Sequence, residues 1–118
     1  METMIGAGTS FGFDLSAIRR RLGLTQAEFA KLVGLSERSI AGSATGAELN
    51  ANSQRRIIEA DRLATELEGV FRNVSGISKW LSSANPGFEQ LTPLAVIERG
   101  EIDRVWRALY FLQSGSPN

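Results

Sequence analysis

Apolar residues recur along most of this chain at steps of three and four, in short runs separated by capping residues and glycines. Leu15, Ile18 and Leu22 follow Asp14 and precede Gly23. That spacing predicts a helix with one core-facing stripe, capped by Asp14 and ended by Gly23. Residues 24–40 read as two short helices joined by a tight turn. Thr25 caps the first, and Glu28 three residues later completes a capping box. Gly34 ends it, because glycine enters the left-handed conformation at little cost. Ser36 caps the second, which is expected to reach about Ala44. Ala27 and Ala30 are small enough to let the two helices cross closely.

After a loop over 46–52, Asn52 or Ser53 is expected to cap a long helix running to about Arg72. Ile57, Ala60, Ala64, Leu67 and Phe71 form its apolar stripe, and Glu68 and Arg72 are spaced as a supporting pair. Residues 77–81 predict a short amphipathic helix, and Asn85-Pro86-Gly87 a turn. Thr92 then caps a helix with Pro93 at its first position, where proline's missing donor costs nothing. Gly100 stops that helix. Ile102, Val105, Trp106, Leu109 and Leu112 give the last helix a broad apolar face. Trp80 and Trp106, each on an apolar face, are expected in the core. The pattern predicts an all-α fold of about seven helices in four segments. These are a flexible Gly/Ser/Thr-rich leader over 1–13 (or an arm that docks on a partner), a region over 14–50 that holds the first helix and the two joined by the glycine turn, a connecting long helix over 51–72, and a C-terminal unit over 73–118.

Composition narrows the function. With 118 residues, 42% hydrophobic and 22% charged, the chain is an ordinary globular one. Cysteine and histidine are both absent, which removes disulfides, thiolate or imidazole metal sites, and every Cys- or His-based nucleophile. A carboxylate or lysine enzyme is left formally open, but the acids fall mostly on polar helix faces. We expect no enzyme, no catalytic residue, no cofactor and no metal. The net charge is zero and the sequence pI about 6.3, low for a DNA-binding protein. Residues 1–56 carry seven basic and five acidic side chains, residues 57–118 six and eight, so the halves are +2 and −2. No stretch approaches the roughly 20 apolar residues of a membrane span, and the opening residues lack a secretory pattern. A cytoplasmic protein that makes no membrane contact is expected.

Two helices crossing sharply through a glycine turn follow the helix-turn-helix plan, whose second helix can enter a DNA major groove. Over residues 18–40 the chain resembles the Xre/Cro-type helix-turn-helix, down to Leu22-Gly23-Leu24-Thr25-Gln26-Ala27-Glu28. Base readout would fall to Arg38, which can pair with a guanine edge, and to Ser39, with Glu37 beside them. Gln26 matches the family position that bonds a backbone phosphate. Arg19, Arg20 and Arg21 lie on the preceding helix, from which one or two could reach a phosphate. The family's large apolar residue near Ser43, and the acid after it, are missing. Such a reader would depend on dimer symmetry for affinity.

The order Trp80-Leu81, Asn85-Pro86, Thr92-Pro93-Leu94, Gly100, then Val105 and Leu109 resembles the toxin-binding domain of MbcA/ParS/Xre antitoxins. Together with the Xre-like front, the resemblance covers nearly residues 14–115. It implies a homodimeric type II antitoxin that occludes the active site of a RES-domain toxin, an enzyme that consumes NAD or transfers ADP-ribose from it. It also implies operator DNA as a second partner. The expected toxin contacts are Arg104, Arg107 and Tyr110, and a plug made of Gln113, Ser114, Gly115, Ser116, Pro117 and Asn118. This chain has Glu89 and Gln90 where the family carries glycine ahead of Thr-Pro-Leu, which predicts another path for that loop. The alternative is a stand-alone Xre-type dimeric repressor whose C-terminal helices only dimerise.

Overall fold

Most helix starts fall where a side chain satisfies an otherwise orphaned backbone donor. The computed structural model describes residues 12–42 and 45–114. Helix α1 (Leu15–Leu22) begins where Asp14 accepts the Ala17 amide at 3.0 Å, and α2 (Gln26–Val33) at the Thr25–Glu28 capping box. Helix α3 (Glu37–Ala41) starts at Ser36, α4 (Ala51–Glu68) at Asn50, and α5 (Val74–Ser82) at Asn73. A 3₁₀ turn over Pro86–Phe88 precedes α6 (Pro93–Glu98), which Thr92 caps, and α7 (Ile102–Ser114) completes the fold. Among the described residues the protein is all-helical, with seven α-helices and no strand beyond an isolated Asn85–Leu91 bridge. None of the described helices is long and apolar enough to cross a membrane.

Several boundaries differ from those expected. Helix α4 starts two or three residues early, because Asn50 rather than Asn52 or Ser53 takes the cap and holds the Ser53 amide at 2.8 Å. It stops at Glu68 rather than Arg72. Gly69 closes its last turn onto Glu66, and Asn73 then opens α5. The expected Glu68–Arg72 pair is therefore replaced. Arg21 of α1 holds Glu68 through two bonds of 2.9 and 3.0 Å, Asp61 at 2.8 Å and Thr65 at 3.0 Å. The forked guanidinium thus ties α1 to two turns of α4, a bidentate geometry that lysine cannot make. Glu68 titrates below its ordinary value because Arg21 hydrogen-bonds its charged form.

One core runs through both halves of the chain. Leu22, Phe29, Ile57, Leu63, Ile77 and Leu109 are all essentially inaccessible to solvent within it. Helices α1 and α2 pack on α4, α1 also meets α5, α2 meets α6, and α6 carries α7. Leu63, off the expected stripe of α4, is buried because α4 has neighbours on more than one side. Trp80 and Trp106, expected in the core, are half-buried against its edge, and Trp80 meets Phe71 at a 6.0 Å ring separation. Leu112, expected on the buried face of α7, is half exposed. Ala27 is exposed while Ala30 is buried, so Ala30 alone makes the tight inward contact.

Candidate partner-binding surfaces

The first surface is the α2–α3 unit. Gly34 takes φ +73° at the turn, and the Arg56 side chain of α4 lies so close that a Cβ there would stand 2.8 Å from its Nη1. Ser36 then accepts the Ser39 amide at 3.1 Å. The second helix is shorter than expected. It ends at Ala41 with Gly42 as its cap, and Ser43 and Ala44 lie outside the described residues. Its one buried side chain is Ile40, since five residues turn an apolar position inward only once.

The candidate DNA contacts are not all placed alike. Gln26, Glu37 and Arg38 are exposed, while Ser39 is half-buried and its hydroxyl meets that of Ser36 at 3.0 Å. Gln26 lines a cavity of about 210 Å³ with Arg19, Phe29, Ile40 and Ala41, which brings the start of α2 beside the end of α3. Arg38 does not line it. Two of the three α1 arginines are engaged within the chain. Arg19 donates to the Leu24 carbonyl at 2.9 Å and Arg21 is held by α4, which leaves Arg20 exposed.

The second surface is the outer side of α7. Arg104 donates to Glu89 at 2.7 Å and to Glu101 at 3.0 Å, and its guanidinium lies 5.6 Å from the ring centre of Phe88. These bonds, that to Glu89 foremost, raise its pKa further. Arg107 and Tyr110 are exposed, Tyr110 by 67%. Gln113 reaches back to Glu66 of α4 at 2.6 Å, so the end of α7 is fastened to the body. Ser114 donates to the Phe111 carbonyl, and residues 115–118 of the expected plug lie outside the described residues.

Sequence reasoning missed Phe111 here and misassigned Leu112. They are 47% and 50% exposed, beside Tyr110. The signal was present. Three consecutive large apolar residues on a helix spread over roughly 200° of its circumference, so they cannot all face one core. In the loop ahead of α6, Glu89 and Gln90 both take left-handed backbone, φ 53° and 70°, the conformation that glycine favours. Hydrogen bonds from the Asn85 amide to the Leu91 carbonyl and from the Gln90 amide to the Asn85 carbonyl, both 3.0 Å, hold the loop in that form.

These features define an all-α protein with a pair of capped helices at α2–α3 and exposed aromatic side chains on α7. No protein-family model and no curated protein matches the sequence. Among solved structures, the chain is similar to one in the crystal structure of the M. tuberculosis MbcT-MbcA toxin-antitoxin complex. The two are 28% identical with a TM-score of 0.72, over 95% of this chain and 98% of that one. The likeness spans front and back together and bears out the resemblance to MbcA-type antitoxins.

Proposed function

We propose that this chain is the antitoxin of a toxin–antitoxin pair and acts by occlusion on a RES-domain toxin. It binds the enzyme, blocks its NAD-dependent active site and catalyses no reaction of its own. What carries this reading is the likeness over nearly the full length to a chain of a toxin-antitoxin complex. The exposed side of α7 adds to it, since large apolar side chains left in solvent mark interaction surfaces. Arg104, Arg107 and Tyr110 are assigned to the toxin interface, with the tail from Gln113 to Asn118 at the mouth of its active site. The working form is a cytoplasmic homodimer. Through Gln26, Glu37, Arg38 and Ser39 its helix-turn-helix binds operator DNA and regulates its own synthesis. Segments 14–50, 51–72 and 73–118 divide the work into DNA-facing, connecting and toxin-facing parts.

The test is co-expression with the adjacent reading frame, then pull-down and an NAD-consumption assay with the full-length chain and a 1–112 truncation. A retained complex in which only the full-length chain inhibits supports both the antitoxin and the tail plug. Inhibition by both forms keeps the antitoxin and removes the plug. If no partner is retained, the antitoxin reading fails and a stand-alone repressor is tested in its place. For the DNA role, Arg38→Ala is expected to weaken binding to the upstream region and to relax base preference at one position per half-site. It loses about 1–3 kcal/mol if Arg38 holds a guanine edge.

A further inference from the structure

Two depressions adjoin along the exposed side of α7. One, of about 240 Å³, lies among Phe88, Ala108 and Phe111, with Arg104 and Arg107 also lining it. The other, of about 300 Å³, lies among Trp80, Ala108, Phe111 and Leu112. Asn85, Ala108 and Phe111 line both, so they form one continuous groove. Its charge is unbalanced. The nearby acids Glu89 and Glu101 both bond to Arg104. Arg107, three residues further along the helix, is exposed and has no hydrogen bond or ion pair among the described residues. The groove therefore combines an apolar lining with a guanidinium that holds no ion pair among the described residues, although Asp103 stands one turn before it.

The Glu89–Arg104 bond displays how a carboxylate is received here, reaching in from an exposed turn beside the Phe88 ring. We propose that the groove docks a segment of the toxin that presents a carboxylate to Arg107 and apolar side chains to the two depressions lined by Phe111. This rests on the antitoxin reading and specifies the chemistry of the partner's docking element. A basic segment is repelled, and a purely apolar one would cover Arg107 without giving its charge a partner. Tyr110 is more exposed than Phe111 but lines neither depression, so its place in the toxin interface is beside the groove rather than in it.

The experiment titrates the full-length chain against the toxin encoded by the adjacent frame, using Phe111→Ala, Arg107→Glu and Arg107→Gln. Each variant is first shown to melt like the wild type. Phe111→Ala and Arg107→Glu are expected to weaken the complex by about 30-fold or more, the scale of interface anchors. Arg107→Gln should weaken it by about tenfold and flatten its salt dependence, because one ion pair is gone. Unaltered affinity in both Phe111→Ala and Arg107→Glu overturns the proposal while the wild-type complex keeps the antitoxin reading standing. A loss confined to Phe111→Ala, or an Arg107→Gln loss with unchanged salt dependence, overturns the acidic segment. Failure of the wild-type chain to bind the toxin overturns the antitoxin reading, and this proposal with it.

Discussion

Replacing Gly23 by alanine tests whether the two ends of the chain share one packed interior. Gly23 ends α1 at φ +68°, against the first turn of α5. A Cβ there would stand 2.8 Å from both the Ser78 Cβ and the Val74 Cγ1, and 3.2 Å from the Val74 carbonyl oxygen. Two costs therefore combine. Left-handed backbone costs a residue with a Cβ about 1–2 kcal/mol. Forcing a methyl into a filled contact adds about 1–3 kcal/mol, because the obstructing atoms lie on or next to the backbone and cannot swing away. Gly100 supplies the control, since it has φ +85° and nothing within 4 Å of an added Cβ. Gly100→Ala should cost the backbone term alone. Urea unfolding at matched m-values then measures the difference. We expect Gly23→Ala to lose about 1–3 kcal/mol more than Gly100→Ala, the size of the packing term. Val74→Ala, at a side chain 45% exposed, should be mild alone and should recover part of the loss when combined with Gly23→Ala. Equal costs at Gly23 and Gly100 would refute the close α1–α5 contact.

Two further perturbations act on single features. Gln90→Gly should stabilise the protein by about 0.5 kcal/mol in the same assay, the relief at φ 70° outweighing glycine's added freedom in the unfolded chain. A loss of stability would show that the Gln90 side chain holds the loop. Glu68 has a folded-state pKa depressed by Arg21, so its stabilisation is fully present above the ordinary value near 4.5 and is lost as pH falls through the lower folded value. Glu68→Gln should therefore cost under about 1 kcal/mol at neutral pH, this being a partly exposed pair. It should also shrink the stability lost on acidification, and acid titrations of the two proteins that differ only by a constant offset would exclude the pair.

Much of the helical plan was legible because the caps are local chemistry. Asp14, Thr25 with Glu28, Ser36, and Thr92 with Pro93 each act within three residues, and each stands where the sequence places it. What could not be read depends on partners distant in the chain. Arg21 looked like surface charge until α4 brought Asp61 and Glu68 beside it, 40 and 47 residues away. The half-buried tryptophans and the exposed Leu112 follow from where α4, α5 and α6 leave room beside α7, which no periodicity on α7 encodes. At the candidate surfaces, residue type pointed to Arg104, Arg107 and Tyr110. The groove with Phe111 in its lining needed α5, the 85–91 loop and α7 to be brought together.

That assembly also limits how the two proposed partners can influence each other. Helix α7 packs on α6, α6 on α2, and α2 leads through Gly34 into α3, so the groove and α3 are joined by contiguous packing. Contiguity alone transmits nothing. A ligand at α7 shifts α3 only if it binds two arrangements of that path with different affinity. Along the path, α2 and α6 are held by several fully buried side chains, among them Phe29, Val33 and Val96. Helix α3 contributes Ile40 alone and borders an open cavity of about 210 Å³. Local opening is cheapest where the fewest apolar contacts are lost. Were the proposed toxin and operator sites coupled, the two-state element would therefore lie at α3 and its turn, where the fewest buried contacts oppose a shift.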